Sequence, residues 1–396
     1  MLSLEHLKGK DIIIWGTGLH AVKCAYFLKQ KGFFVQYFMN TDCKISGFME
    51  KPVYAPSPER CKTKFVIVAS TENVYISISQ QLSSFGMLEV LDFAYYQWFF
   101  KQIVLLHGNC HIMPIQEYLG SSTAFTLKYT FYPHPLIQNG MKPIPLQSMQ
   151  IMDVWIHEDI RADNPYGYEL SDEYMRKGIL RTSKEIVIPN LFGMGRAFFP
   201  QEKASEDEKL ITKGNNPIAN GDDRNGMFPY VDRVIERALT QMNNVNDIIS
   251  FCKSKECLSK EEIVDNFHEY IEKIKKREAQ WDICITEFIL DHYKNEKLFY
   301  DSGHPTNTIF RKISEEILAK LGIQDMQIEC SAVLDAHEVP VYPVTREVLG
   351  MQWEDDSIRV SKNAKRAVEK MDFEEYIREY IWWRNQECVT DKNEDN

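Results

Sequence analysis

The chain has 396 residues, of which 44% are hydrophobic, 12% aromatic and 26% charged, enough apolar material for a sizeable core. That length predicts two or three domains rather than one. A net charge of −11, from 46 basic and 57 acidic side chains, argues against a general nucleic-acid binder, although a local basic patch can still hold an anionic cofactor.

Met1 to Lys10 is charged and lacks the apolar stretch of a secretory signal. No apolar run reaches the roughly eighteen residues that a membrane span needs. Nine cysteines, odd in number and scattered, fit reduced thiols in a cytoplasm better than a disulfide framework. Cys252 and Cys257 are the closest pair, but they lack a second pair or nearby histidines, so no metal site is expected.

The first hundred residues alternate strand and helix. Asp11–Trp15 reads as a buried strand, Ala21–Lys31 as a helix and Phe33–Met39 as a second strand. Lys64–Ala69 follows as a strand, Thr71–Phe85 as a helix, and Leu88–Phe93 closes the unit. Such alternation predicts a Rossmann-like domain with a parallel sheet over residues 1–100. A second α/β domain, 101–330, starts with strands at Ile103–Leu106, Phe125–Phe131, Ile151–Ile156 and Glu185–Ile188. Gln201–Asn225, rich in Glu, Lys, Gly and Asn, reads as a long surface loop.

Beyond Tyr230 the pattern is helical, with helices over Tyr230–Gln241, Asn246–Cys252, a long one from Lys260 to Asn295, and Thr306–Leu321. Ser259 and Glu262 form a capping box for the long helix. The extension 331–396 carries a helix over Ala364–Arg384.

Ile103–His107 is an apolar run that ends in Gly108-Asn109-Cys110-His111. A turn of this kind puts Cys110 at the carboxyl end of a strand, against the positive end of a helix dipole. A thiol placed there ionises easily, and the thiolate is the nucleophile. The same cysteine also fits a small buried residue at a helix start. Downstream, Asp301-Ser302-Gly303-His304-Pro305 supplies an Asp-x-x-His arrangement. His304 is then the base for Cys110, and Asp301 holds its imidazole. The bland alternative is a loop leading to a helix capped by Thr306 or Asn307.

Other positions are candidates for supporting roles. The backbone N–H of Cys110, the Asn109 side chain and Asn190 are candidate oxyanion donors. His111 and His157 are candidate substrate contacts, and His134 sits in a Pro-flanked loop. Arg277, beside Glu278, is either an exposed charge or an anion contact. Gly16-Thr17-Gly18 after the first strand resembles a dinucleotide turn, with Gly16 and Gly18 as candidate phosphate contacts. The acidic residue expected at the end of the second strand is missing at Asn40, although Asp42 is close. That domain is either structural or holds a nucleotide-like ligand.

A nucleophile on a strand-to-helix turn, with Asp-x-x-His late in the chain, is the order of parts in SGNH-type hydrolases and acyltransferases. More specifically, Gly108-Asn109-Cys110-His111, Ile188-Pro189-Asn190-Leu191, Phe228-Pro229-Tyr230, Arg277-Glu278 and Leu298-Phe299-Tyr300 with His304-Pro305-Thr306-Asn307 resemble the WcbI-type capsular polysaccharide biosynthesis family. The likeness runs from about Gln102 to Gly350 and includes Val341-Tyr342-Pro343. It departs at His111, where the family often has Gln, and in the first hundred residues, which the family core lacks.

The resemblance implies an SGNH-like catalytic domain with added C-terminal helices. It implies acetyl-CoA as acyl donor and a sugar hydroxyl of a surface glycan or its nucleotide- or lipid-linked precursor as acceptor. It leaves open whether the acyl group passes through Cys110 or moves directly with His304 as base. Three rivals stand beside it: a carbohydrate esterase of the same fold, an NAD(P)-binding oxidoreductase built on Gly16–Ala21, and a non-catalytic glycan assembly protein.

Overall fold

The computed structural model describes residues 1–133, 142–202, 231–324, 327–330, 334, 337–354, 358–361 and 368–390. Most of the expected loop Gln201–Asn225, the Phe228-Pro229-Tyr230 motif and His134 lie outside the described residues. The chain forms two compact units. One comprises Met1–Ile112, Ser122–Val187 and Ile323–Asp325, the other Met113–Ser121, Ile188–Gly322 and Met326–Asn396. The sequence reading divides the chain near residues 100 and 330. Alternation of strand and helix marks where elements change, but not which faces pack together.

The first unit holds two sheets. The strands of the first are β1 (Ile12–Trp15), β2 (Val35–Met39), β3 (Gly47–Phe48), β4 (Lys51–Tyr54), β5 (Phe65–Val68) and β6 (Phe93–Tyr95). Their order is β3-β4-β2-β1-β5-β6, parallel throughout except for the β3–β4 hairpin. The strands β1 and β5 are buried at every residue, as befits apolar runs in the middle of a parallel sheet. The second sheet contains β7 (Gln102–His107), β8 (Tyr129–Phe131), β9 (Val154–Glu158) and β10 (Lys184–Ile188), in the order β10-β9-β7-β8. Its central strand β7 runs parallel to both β8 and β9, with His107 opposite His157.

The two sheets share one apolar core, which joins Ile13, Val66 and Trp98 to Ile103, Tyr132, Met149 and Trp155. Trp98 stacks on Tyr132 with ring centroids 5.3 Å apart. Beside them the buried Glu89 carboxylate accepts hydrogen bonds from the Tyr75 and Tyr132 hydroxyls and, at 3.0 Å, from Ser148. Burial pushes its pKa up.

The second unit is mainly helical, with two short antiparallel strand pairs at Gln201–Glu202 with Val231–Asp232 and at Ile358–Ser361 with Val368–Met371. Lys260–Glu278 begins with the expected capping box of Ser259 and Glu262. Asp232, fully buried, caps Arg233–Leu239 through the N–H groups of Val234 and Ile235. It also accepts from Tyr342, Gln201 and Tyr376, and so ties the C-terminal helix Phe373–Thr390 to the rest of the unit. Among the described residues no helix is long and apolar enough to cross a membrane.

Four expected elements come out differently. The helix Lys260–Asn295 is two helices, Lys260–Glu278 and Thr286–His292. The Glu278 carboxylate accepts the N–H groups of Ile285 and Thr286, so it serves as a cap for the second helix. The strand Phe125–Phe131 is a helix at Thr123–Lys128, capped by Ser122, followed by β8. The strand Leu88–Phe93 starts only at Phe93, because Val90 takes a left-handed φ of 69° and Asp92 accepts the Leu88 N–H. Of the expected helix Ala364–Arg384, Val368–Met371 is a strand paired antiparallel with Ile358–Ser361, and the helix begins at Phe373.

Candidate active site

The strand β7 leads straight into the Gly-Asn-Cys-His turn, and a helix follows at Ile112–Ser121. The turn is held from within and from below. Asn109 Oδ1 accepts the His111 N–H at 2.8 Å, and the Ile112 N–H reaches the Asn109 carbonyl at 3.2 Å. From below comes Glu158, the last residue of β9, which is 1% exposed. One of its oxygens accepts the Asn109 N–H at 2.9 Å and the other lies 3.1 Å from His111 Nδ1. Gly108 has to be glycine here, since a Cβ would stand 2.7 Å from Ile112 Cγ2 and 2.9 Å from Glu158 Oε2. Cys110 sits at the top of this turn and is partly exposed. His111 is buried against Glu158, so it braces the turn from the protein side.

The Asp-x-x-His segment belongs to the second unit. Its loop is closed by two backbone bonds, Tyr300 N–H to His304 carbonyl and Thr306 N–H to Leu298 carbonyl, both 2.8 Å. Asp301 is fully buried. Its Oδ1 accepts the N–H groups of Gly303 and His304 at 2.6 and 2.9 Å, and its Oδ2 lies 2.8 Å from His304 Nδ1. A carboxylate on Nδ1 fixes the imidazole's orientation and leaves Nε2 as the nitrogen for proton transfer. The His304 side chain is 24% exposed and can be reached from solvent. Phe192 stands edge-on to its ring, 6.5 Å between centroids. The helix Asn307–Lys320 follows, with Thr306 at its N-cap but making no side-chain cap bond. Tyr118, on the helix that follows the cysteine turn, donates to the carbonyl of Asn307 at 3.3 Å.

The remaining candidates have other surroundings. Asn190 follows β10, and its Oδ1 accepts the Phe192 N–H at 3.2 Å, which shapes the turn toward Phe192. His157 points into the protein. It is fully buried, stacks on Trp155 at 3.7 Å and lies 3.1 Å from both Asp172 and Glu185. Burial opposes a charge on this ring, but the hydrogen bonds to Asp172 and Glu185 outweigh it and push the pKa up to about 9. The ring clamps β9 to its neighbours instead of facing a substrate. Arg277 lays its guanidinium over the Trp281 ring, 5.1 Å from the centroid. Gly16 has a φ of 138°, and a Cβ there would meet the Ala69 carbonyl at 2.4 Å, so strand packing by itself requires the glycine. Gly18 is the N-cap residue of the helix Leu19–Gln30, and Asn40 donates to Thr17 beside it at 2.5 Å.

Residues 103–326, more than half of the chain, match the family of the polysaccharide biosynthesis enzyme WcbI. The chain belongs to the WcbI family. A solved structure of WcbI, described as a novel polysaccharide biosynthesis enzyme in its native form without a disulfide bond between coenzyme A and a cysteine, has a similar fold. The TM-score is 0.57 at 16% identity, over 72% of this chain and 90% of that one. No curated protein matches. The family match begins at β7 and takes in the cysteine turn, Glu158 and the Asp301–His304 loop, whereas the first sheet lies before it.

Sequence reasoning overlooked Glu158. Nothing in its own neighbourhood singles it out, since it simply ends a strand. The signal is the register between strands: His107 lies opposite His157, so the residue after each of them meets at the sheet's edge. In this WcbI-family chain those residues are Gly108 and Glu158, and the glycine makes room for the carboxylate.

Proposed function

We propose that this WcbI-family enzyme transfers an acyl group from acetyl-coenzyme A to a sugar hydroxyl of a surface polysaccharide or its precursor. Cys110 is the nucleophile, His304 the base and Asp301 the residue that orients it. The observation that carries the reading is the Asp301–His304 pair, a partly exposed imidazole fixed through Nδ1 by a fully buried carboxylate. What separates this pair from the buried His111–Glu158 and His157–Asp172 pairs is that the imidazole can be reached from solvent, as proton transfer to a substrate needs. The cysteine turn at the end of a parallel strand is the companion feature, and together they support an SGNH-like description of the catalytic part. The solved WcbI structure, described in terms of coenzyme A, supports the donor.

In the first half-reaction the Cys110 sulfur attacks the thioester carbonyl. The new C–S bond forms, the old one breaks, and coenzyme A leaves as a thiol with the proton that His304 took from Cys110. In the second, His304 Nε2 takes the proton of the sugar hydroxyl as its oxygen attacks the acyl-cysteine. The C–O bond forms, the bond to Cys110 breaks, and the proton returns to the sulfur. The backbone N–H of Cys110 and the amide of Asn109 stabilise the oxyanion in both steps.

The test is acetyl-coenzyme A with and without a glycan acceptor, following coenzyme A release and the acceptor's mass. Acceptor-dependent release with an added acetyl mass is expected, and Cys110→Ala and His304→Ala each lower kcat by about 10²–10⁴-fold while circular dichroism stays unchanged. Acetate release that ignores the acceptor would make the enzyme an esterase. Full transfer by either variant would remove the mechanism.

A further inference from the structure

The segment Asn190–Gly195 follows β10 and lies against the Asp301–His304 loop. The backbones meet closely. Gly195 donates its N–H to the Ser302 carbonyl at 3.2 Å, and a Cβ on Gly195 would stand 2.3 Å from the Asp301 carbonyl oxygen. Just before it the chain makes a tight turn, closed by the Met194 N–H on the Leu191 carbonyl at 2.9 Å. Gly193 has φ 78° and ψ −1°, the third position of a type II turn, where glycine is favoured. Asn190 Oδ1 holds the Phe192 N–H at 3.2 Å.

The structural tasks in this turn fall to residues other than Phe192. Asn190 and Gly193 shape it, Leu191 packs inward at 1% exposure, and Gly195 makes room for the neighbouring loop. Phe192 keeps 43% of its surface exposed. Single exposed apolar side chains are ordinary on a protein surface, and this one is set apart by what it stands against. Its ring is perpendicular to the His304 imidazole, with 6.5 Å between centroids. The close backbone contact at Gly195 keeps the two rings together. Because Asp301 occupies Nδ1 of His304, proton transfer runs through Nε2, and the molecule that meets Nε2 in the second half-reaction is the acceptor.

We propose that Phe192 is the aromatic platform for the acceptor, packing against the C–H face of a sugar ring while a hydroxyl of that ring reaches His304 Nε2. A pyranose is polar around its edge and presents C–H groups on its flatter face. The face of a phenyl ring is the negative side of its quadrupole and suits those hydrogens. A phosphate or other charged carrier gains nothing from such a surface, so the contact recognises the sugar ring itself. Holding the ring beside the base aligns its hydroxyl for attack on the acyl group. The inference rests on the acyl-transfer reading for the role of His304 as base, whereas the binding of a sugar at Phe192 is measured without turnover.

Saturation-transfer NMR of the full-length chain with methyl α-D-glucopyranoside, methyl β-D-galactopyranoside and methyl α-D-mannopyranoside tests this with no donor present. At least one glycoside binds, and the transfer is strongest to the ring C–H protons of one face, a result that needs no variant. The His304 ring signal, identified by its loss in His304→Gln, shifts when that glycoside is added. Phe192→Ala and Phe192→Leu weaken binding roughly fivefold or more, whereas Phe192→Tyr, which keeps the ring, retains it. Circular dichroism checks that each variant is folded. Failure of all the glycosides to bind, a His304 signal that stays in place, or undiminished binding to folded Phe192→Ala overturns the proposal. Wild-type binding by Phe192→Leu also overturns it, since apolar bulk without an aromatic face would then suffice. Sugar binding that depends on Phe192 in a chain that transfers no acetyl group leaves this inference standing and removes the transferase reading. Acceptor-dependent transfer with sugar binding indifferent to Phe192 does the reverse.

Discussion

At the scale of single residues, the cysteine turn depends on atoms that are not cysteine. Glu158 holds the Asn109 N–H and the His111 ring from beneath, and Gly108 leaves the room for it to do so. Gly108→Ala drives a methyl group into Ile112 and Glu158, an overpacking that costs about 1–3 kcal/mol. The larger effect is expected on chemistry, since a shift of about 1 Å in a nucleophile can cost about 10²-fold in rate. Thermal melting and kcat/KM measured on the variant check this together; a variant with unchanged activity would show that the turn tolerates the displacement.

The other thiols provide a second test at this scale. Burial pushes Cys24 and Cys252 up to about 12 and Cys61 and Cys257 up to about 11, so these four stay protonated and shielded near neutral pH. Cys110 is partly exposed at a strand-to-helix turn. Brief iodoacetamide treatment at pH 7 followed by peptide mass mapping should find Cys110 alkylated ahead of those four and of the exposed Cys43 and Cys284. Labelling no faster than at Cys43 would argue against an activated thiol.

Between elements, the His157 cluster joins β9 to β10 and to the helix Asp172–Gly178. The two partners move in opposite directions. His157 is pushed up to about 9, whereas the hydrogen bond from His157 holds Glu185 down at about 2 despite partial burial. A raised histidine stabilises the fold fully below its unfolded value of about 6.5 and loses that contribution as pH rises through about 9. A lowered glutamate contributes above about 4.5 and fades as pH falls toward about 2. The clamp is therefore strongest between about pH 4.5 and 6.5. Melting curves from pH 6 to 9.5 should show the wild type losing stability that His157→Gln does not lose, on the order of 3 kcal/mol or less. Parallel curves for the two proteins would mean that the imidazole is not charged in the folded state.

The same scale shows what was legible in the sequence. Runs such as Ile12–Trp15, Phe65–Val68 and Gln102–His107 are apolar because both faces of a parallel strand are covered, and they could be read directly. The Asp301–His304 contact was legible because it is local, three residues apart in one loop. Elements decided by distant partners were not. The apolar period through Trp281 and Ile285 continues across a break that the Glu278 carboxylate creates. Likewise the inward turn of His157 depends on Asp172 and Glu185, which no spacing rule connects to it.

For the whole molecule, the question is whether the first sheet is a separable addition. The family match starts at residue 103, which suggests a removable N-terminal domain. The packing argues otherwise. Tyr132, just after β8, and Trp155 of β9 share a core with Trp15 and Val66 of the first sheet and with Trp98, which follows it. Glu89 and Trp98 meet Tyr132 directly, through a hydroxyl bond and a stacked ring. A chain beginning at Lys101 would expose those side chains and remove the Glu89 carboxylate from the Tyr132 hydroxyl. Large aromatic side chains lost from a core cost about 3–5 kcal/mol each, comparable with the whole stability of a domain. Such a chain should be aggregation-prone or bind a hydrophobic dye, lack a cooperative melt, and have no transfer activity. A soluble, cooperatively melting truncation with full activity would show that the second sheet carries its own core.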